Sequence, residues 1–137
     1  AICMDKAITN EILEYYNMPQ AKFLNIHRLY FKDNFEKIKE DTNEIGYPVF
    51  IKPSNAGSSV GVTKVEEESS LKDALIEAFK YDDMVLIEEA VIGREFEIAV
   101  MGNEFPVILS LTMTLSTKML KLYLWLQQKL MKKLKMI

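Results

Sequence analysis

The chain has 137 residues, of which 49% are hydrophobic and 27% are charged, and its formal net charge at pH 7 is −3. This balance is typical of one modest globular domain or of part of a larger one, and it excludes collagen-like and disordered chains. The negative charge argues against a nucleic acid or an anionic membrane as the main partner. The single cysteine, Cys3, excludes an internal disulfide and fits a reducing compartment. The sequence has no long apolar run and no basic start before an apolar core, so we expect neither a transmembrane helix nor a signal peptide.

The first predicted element is a helix. Apolar residues recur at helical spacing over residues 4–17, and Asn17 and Pro19 are expected to end the helix. The residues that carry this pattern are Ile8, Ile12, Leu13, Tyr15 and Tyr16. The short apolar segment of residues 22–26 is predicted to be a strand.

A second helix is predicted over residues 34–45, with Gly46 as its stop signal. Its apolar side consists of Phe35, Ile38 and Ile45. Residues 48–53 form an apolar run bounded by prolines, which is typical of a buried strand. A loop of small residues, 55–61, then leads into a short strand over residues 62–65.

A third helix is predicted over residues 69–80, with Ser69 and Ser70 as its caps. Its apolar face consists of Leu71, Ala74, Leu75, Ala78 and Phe79. The remaining predicted elements are strands at residues 84–89, 95–101 and 104–109, with a hairpin turn at Gly102-Asn103 between the last two.

The segment IKPSNAGSSVG is the first that could carry chemistry, because a strand delivers Lys52 into a loop of Gly and Ser. Gly57 and Gly61 allow backbone N–H groups to approach an anion closely. Lys52 supplies a positive charge, and Ser58 and Ser59 supply hydroxyl donors. These features suit a phosphate group, although the spacing is neither that of a Walker A loop nor GxGxxG. Taken alone, the segment is also compatible with an ordinary turn.

The second segment is LIEEAVIGREF, in which an apolar strand ends in Glu88 and Glu89 and a short link leads to Glu95. Carboxylates and backbone amides at a strand end can bind an adenine edge and ribose hydroxyls, although a solvated Glu-rich turn has the same composition. Lys6, in the first turn of a helix, is by itself compatible with solvation. His27 has no partner at metal-ligand spacing, so no metal ligand is predicted.

Considered together, these segments resemble the D-alanine–D-alanine ligase family of the ATP-grasp superfamily. The matching stretches are MDK, GYPVFIKPS, GSSVGV and VLIEE followed by GREF, in the family's order and spacing over residues 3–106. The string KPSxxGSSVG is specific to these ligases and argues against another ATP-grasp enzyme, such as a carboxylase-type ligase. The resemblance implies a partial α+β ATP-grasp fold. Its parts are the central subdomain at residues 1–89, the start of the second subdomain at 90–106, and an aberrant basic tail at 107–137.

The resemblance also implies an activity and a set of site residues. Family members are cytoplasmic enzymes that use ATP and Mg²⁺ to join two D-alanines through an acyl phosphate, for peptidoglycan synthesis, and they form homodimers. By position, the residues similar to the family's phosphate-binding lysines are Lys6 and Lys52. Ser58 and Ser59 are similar to residues of its flexible catalytic loop. Glu88, Glu89 and the backbone of Val91 are similar to its adenine-binding link. Glu95 is similar to its ribose-binding carboxylate.

The sequence departs from the family pattern in ways that affect activity. The family's N-terminal domain, its acidic Mg²⁺ ligands and the arginine that steadies its intermediate have no counterpart in these residues. We therefore expect a fragment of a D-alanine–D-alanine ligase that is inactive alone. The alternatives are a non-catalytic nucleotide-binding module or remnant, and a ligase that makes D-Ala–D-Ser or D-Ala–D-lactate.

Acidic residues are missing from the end of the sequence. All 20 lie within residues 1–106, where they face 11 basic groups and give a charge of −9, and six lysines in residues 107–137 raise the total to −3. We hypothesise that residues from about 107 onward are translated out of frame, since shifting the frame by one base recovers acidic segments similar to those of the family. Such a segment would be poorly ordered or weakly helical. The alternative is a genuine Lys/Leu helix that packs on the domain or on a membrane surface.

Overall fold

The computed structural model describes residues 2–94, 96–102 and 107–113. The chain divides into two units, Ala1–Val91 and Ile92–Ile137. Within the described residues, no helix is long and apolar enough to cross a membrane.

The first unit is built on a four-stranded antiparallel sheet with the strand order β1-β4-β2-β3. Its strands are β1 (Phe23–His27), β2 (Val49–Pro53), β3 (Thr63–Val65) and β4 (Met84–Glu89). Its helices are α1 (Lys6–Tyr15), α2 (Arg28–Asp33), α3 (Phe35–Ile45) and α4 (Leu71–Ala78), with short 3-10 turns at Ile2–Met4 and Glu68–Ser70. The predicted strands and helices of this unit are therefore confirmed, and β4 has the predicted bounds.

One face of the sheet carries the hydrophobic core. Alternate residues of β2 point to opposite faces, so Val49 and Ile51 are fully buried while Phe50 and Lys52 are only partly buried. The core also contains Val85 and Ile87 of β4 together with residues from α3 and α4. The predicted apolar face of α4 is confirmed, because its five residues, Leu71, Ala74, Leu75, Ala78 and Phe79, are all buried.

The opposite face of the sheet is partly covered by α1. Ala7 of this helix is buried, and the side-chain amide of Asn25 on β1 donates to the Ala7 carbonyl at 3.4 Å and to Glu11 Oε1 at 2.7 Å. Leu86 of β4, which lies opposite Asn25 in the sheet, is also buried. Because α1 covers this end of the face, the part formed by β2 and the end of β4 is left more open.

Two details of the helices differ from expectation. The apolar residues that predicted α1 do not form a buried face, since Ile8 is 44% and Tyr15 is 79% exposed. The cause is that the first turn of α1 is bonded to the end of β2, which turns Ala7 toward the sheet. Ser70 stands at the N-cap of α4 but makes no side-chain cap, and Ser69 donates instead to Glu67.

Helix α2 is absent from the prediction because it has no apolar stripe of helical length. It spans six residues directly after β1 and contains no buried residue. Its N-cap is His27, whose Nδ1 accepts a hydrogen bond from the N–H of Leu29 at 3.1 Å. His27 therefore has a structural role, as the cap of this helix.

The second unit contains an antiparallel hairpin of β5 (Phe96–Met101) and β6 (Val107–Met113), with a register shift between Ala99 and Val100. The expectation of a poorly ordered or weakly helical segment from residue 107 is wrong for residues 107–113, which pair with β5 and overlap the strand predicted at 104–109 only at residues 107–109. Residues 95, 103–106 and 114–137 lie outside the described residues, and with them Asn103 of the predicted turn and the first three residues of the strand predicted at 104–109. The proposed subdivision at 106 and the frame hypothesis for the remaining tail stay predictions.

The buried face of α4 gives a test of the fold. Leu75 is fully buried, whereas its neighbour Ile76 is 46% exposed. We expect Leu75→Ala to lower the free energy of unfolding by about 2–5 kcal/mol, since the cavity adds to the lost burial. Ile76→Ala should change it by only about 0.5 kcal/mol. Urea unfolding followed by circular dichroism measures both, and equal losses would contradict this packing.

Candidate functional site

An ion pair lies on the more open face of the sheet. In the antiparallel pairing of β2 with β4, Phe50 lies opposite Glu88 and Lys52 lies opposite Leu86. Lys52 and Glu88 are therefore diagonal neighbours on one face, and the Lys52 ammonium donates to Glu88 Oε2. The side chains are 27% and 21% exposed, respectively, so both charges are accessible yet partly shielded from water. Shielding strengthens the attraction of such groups for a ligand of opposite charge.

An aromatic ring lies beside this pair. The Lys52 ammonium is 5.4 Å from the centroid of the Phe50 ring, which is within range of a cation–π contact. Phe50 and Lys64 are register partners across β2 and β3, so Lys64 lies on the same face. The face thus combines a flat apolar ring with cations and a carboxylate, which suits a ligand that is aromatic at one end and anionic at the other.

Residues 55–62, here named the Gly/Ser loop, follow β2 after Ser54. The N–H of Val60 donates to the Gly57 carbonyl at 3.0 Å and closes a tight turn around Ser58 and Ser59. Both serines have positive φ angles, 49° and 59°, a conformation that costs a non-glycine residue about 1–2 kcal/mol. Both are also exposed. The predicted loop residues are therefore presented to solvent in a constrained turn beside the sheet face.

Lys6 lies beneath the start of this loop. Its ammonium donates to the carbonyls of Pro53 (3.3 Å), Ser54 (3.2 Å) and Ala56 (2.6 Å). An ammonium has three donors, so in this conformation all three serve the backbone at the end of β2 and the start of the loop. Lys6 thus adds positive charge next to the loop and also holds its first residues in place.

Ser54 is fully buried and joins α1 to the loop. Its hydroxyl donates to Asp5 Oδ1 at 2.5 Å and accepts from the N–H of Ala7 at 3.0 Å. Asp5 is also the N-cap of α1, because Oδ1 accepts from the N–H of Ile8 at 3.1 Å. The hydrogen bond from Ser54, followed by that from Ile8, holds the pKa of the Asp5 carboxyl below its usual value, against a smaller effect of burial.

Glu88 and Glu89, which the second segment predicts to bind adenine, have different surroundings in the sheet. Glu88 faces Lys52, whereas Glu89 lies opposite Val49 of β2, one position further along β4. The Glu89 carboxylate accepts from the N–H of Lys22 at 3.2 Å, so it secures the start of β1. The N–H of Val91 donates to the Glu89 carbonyl at 3.1 Å, and its side chain is 71% exposed. Glu95, the predicted ribose ligand, lies outside the described residues.

Potential metal ligands are scattered over the described residues and do not cluster. Across residues 2–94, 96–102 and 107–113, no group of three or more His, Cys, Asp or Glu side chains could hold a metal ion. Mg²⁺ requires several oxygen ligands in near-octahedral geometry. The described residues therefore contain no preformed cage for Mg²⁺, and a metal ion bound with a nucleotide would take most of its ligands from phosphates and water.

Several residues of the site were not predicted from the sequence. Phe50 and Lys64 belong to the site because side chains alternate between the two faces of a strand and these two residues are register partners. Since residues two apart on a strand share a face, Phe50 could have been identified from the position of Lys52. The polar residues Asp5, Ser54, Asn55 and Asp82 hold the base of the loop through bonds between distant positions. No local spacing signals such pairs.

Comparison with known proteins adds a family relation. The family model described as D-ala D-ala ligase C-terminus matches residues 12–132. The chain is 50% identical over 107 residues to the D-alanine–D-alanine ligase of Clostridium acetobutylicum, covering 77% of this chain and 31% of that protein. It is 42% identical over 108 residues to the ligase of Geobacillus thermodenitrificans, covering 78% and 30%. The chain thus spans less than a third of the length of these curated relatives.

Solved structures show the same relation. The VanG D-Ala:D-Ser ligase from Enterococcus faecalis superposes with a TM-score of 0.73 at 33% identity, over 82% of this chain and 32% of that one. The D-alanine–D-alanine ligase from Coxiella burnetii superposes with a TM-score of 0.73 at 29% identity, over 99% and 40%.

The contact between Asp5 and Ser54 predicts a pH dependence. A lowered folded pKa means that the Asp5 contribution to stability is present above the unfolded pKa and is lost as the pH falls through the folded value. We therefore expect Asp5→Asn to be less stable than the wild type at pH 7, with the difference closing below about pH 4. The thermal unfolding midpoints of the wild type and Asp5→Asn, compared from pH 7 down to about pH 2.5, measure this difference.

The Ser54→Ala background provides the control for this measurement. Without the serine hydroxyl, the effect of Asp5→Asn at pH 7 should shrink, because the two substitutions remove the same contact. A difference between wild type and Asp5→Asn that persists undiminished at the lowest pH would contradict the assignment.

Proposed function

Because the chain belongs to the D-alanine–D-alanine ligase family, we propose that its first unit binds ATP for the joining of two D-alanines. The membership confirms the predicted resemblance and the partial α+β ATP-grasp fold. The observation that carries the proposal is the Lys52–Glu88 pair on an open sheet face next to an exposed Gly/Ser loop. We place the reaction in the cytoplasm, where ATP and the small amino acid substrates are present.

The proposed phosphate contacts follow from the charges. Phosphoryl transfer depends mainly on positioning and on neutralising negative charge. Lys52 supplies an accessible ammonium, and the hydroxyls of Ser58 and Ser59 with the loop N–H groups supply neutral donors. Lys6 adds charge while supporting the loop carbonyls. ATP, when bound, supplies the phosphoryl group that activates the carboxylate of the first D-alanine as an acyl phosphate.

The proposed adenine contacts lie at the end of β4. A phosphate competes with Glu88 for the Lys52 ammonium, and the released carboxylate becomes an acceptor for the exocyclic amino group of adenine. The Phe50 ring on the same face offers an apolar surface to the base. Following the family resemblance, we assign Glu89 and the backbone of Val91 to the adenine link and Glu95 to the ribose.

We propose that the chain alone binds ATP without turnover. The described residues contain no cluster of three or more potential metal ligands, and the sequence beyond residue 106 contains no acidic residue that could add one. The second substrate is proposed to be D-alanine, because the curated relatives reported above, at 50% and 42% identity, are D-alanine–D-alanine ligases.

The Lys52 side chain is the direct test of the ATP site. We expect Lys52→Met to weaken ATP binding by about tenfold or more, since it removes a charge-assisted hydrogen bond to phosphate. Lys37→Met is the matched control, because Lys37 forms a comparable ion pair with Asp41 (2.8 Å) on α3. Isothermal titration of both variants with ATP measures the effect. An equal loss in the two variants would contradict a site at Lys52.

Glu88 gives a second test, directed at the base. A carboxylate accepts from the amino group of adenine and repels the carbonyl oxygen that guanine carries at the same position. We expect Glu88→Gln to reduce the preference for ATP over GTP, because an amide can donate as well as accept. Competition titrations with the two nucleotides measure the ratio, and an unchanged ratio would contradict the assignment of Glu88.

A turnover assay separates the proposal from its alternatives. We expect no release of inorganic phosphate when the chain is mixed with ATP, Mg²⁺ and D-alanine. Phosphate release that depends on D-alanine would contradict the proposed inactivity. The absence of measurable ATP binding would contradict the ATP site itself and leave a remnant without nucleotide affinity.

A further inference from the structure

Asp82 lies in the turn between α4 and β4, beside the start of the Gly/Ser loop. Its Oδ2 accepts hydrogen bonds from both the backbone N–H (2.7 Å) and the side-chain amide (2.9 Å) of Asn55. Its Oδ1 accepts from the N–H of Met84 at 3.2 Å. A single carboxylate therefore connects the first residue of the loop to the start of β4, across 27 positions of sequence.

The charge of Asp82 strengthens this connection. Hydrogen bonds to an ionised acceptor are roughly twice as strong as bonds between neutral groups. Burial raises the pKa of the Asp82 carboxyl, but the N–H bonds from Asn55 and Met84 outweigh burial and hold the pKa below its usual value. The group is thus ionised at neutral pH, and both oxygens remain acceptors.

The preceding residue, Tyr81, contacts the other end of the loop. Gly61 has a φ of 71° and packs so closely that a Cβ there would lie 2.6 Å from Tyr81 Cδ2 and 2.8 Å from Pro53 Cγ. Any side chain at this position would clash with both of these rings. Tyr81 and Asp82 together therefore hold the end and the beginning of the loop, while the tip with its two serines stays exposed.

We propose that Asp82 is a positioning residue, which holds Asn55 so that the donors of the Gly/Ser loop are aimed at the phosphates of the nucleotide. The inference rests on the ATP site proposed above. Asp82 acts through Asn55 and contacts the loop base, so its removal affects the phosphate end of the ligand. The adenosine end, assigned to Glu88 and Phe50 on the sheet face, keeps its contacts.

A purely structural role makes a different prediction. Asp82 also bonds the N–H of Met84, so its loss could loosen β4 and with it the whole sheet face. In that case affinities for ATP and for adenosine would fall together. The comparison of the two ligands therefore separates positioning of the loop from general loss of stability.

The experiment measures binding of ATP and of adenosine to the full chain and to three variants. We expect Asp82→Ala to weaken ATP binding by about tenfold and to leave adenosine binding within about twofold. Asp82→Asn, which keeps one acceptor oxygen, should lie between Asp82→Ala and the wild type. Asp83→Ala is the matched control, because Asp83 pairs with Arg28 rather than with the loop, and it should leave both affinities unchanged.

Hydrogen exchange provides a readout that does not depend on ATP. In Asp82→Ala the amides of residues 55–62 should exchange faster, with those of Val85 and Ile87 in β4 unchanged. Equal losses of ATP and adenosine binding, or unchanged exchange in the loop, would overturn the positioning role. If the wild type binds no ATP, the proposed function fails, and the exchange measurement still decides whether Asp82 holds the loop.

Discussion

The antiparallel register of β2 against β4 is the constraint on which the first unit depends. It places Ile51 opposite Ile87 on the face covered by α3 and α4, and it places Lys52 beside Glu88 on the other face. Because successive residues of a strand alternate, a slip of one position would turn the charged pair into the core and the isoleucines out of it. Burying those charges would cost several kcal/mol, of order 3–5 if the pair were broken. Core and candidate site are therefore specified by the same pairing.

A second constraint governs the Gly/Ser loop, whose base is held while its tip is exposed. Three charged groups from two distant parts of the chain meet at residues 54–56: Asp5 on Ser54, the adjacent Lys6 on the carbonyls, and Asp82 on Asn55. Their bonds reach residues 54–56 at the base of the loop, so they limit its direction and leave the hydroxyls of Ser58 and Ser59 at its tip exposed. A loop held in this way loses less conformational entropy when it binds a ligand. The arrangement fits a site that positions phosphate groups.

The sequence predictions succeeded for elements whose own residues carry a clear pattern, and they failed where contacts with other elements decide the structure. Helix α4 was predicted with its full buried face, because its apolar spacing and its packing against the sheet agree. Strand β4 was predicted with its bounds for a similar reason, since an apolar run ends in two carboxylates. Helix α2 was missed because its six residues bury no side chain and so leave no periodic pattern. The face of α1 was misread because contacts with β2, not its own apolar residues, set its rotation.

The sequence by itself determined the family, the partial ATP-grasp fold and the identity of the lysine and glutamates at the strand ends, because these depend on residue types at short, fixed spacings. It also identified the loop through its glycines and serines. The tertiary structure alone decided that Lys52 pairs with Glu88, that Glu89 secures β1, and that Lys6 serves the loop backbone. It alone revealed Asp82 as a partner of Asn55. Such contacts join residues tens of positions apart, and only the pairing and order of the strands bring them together.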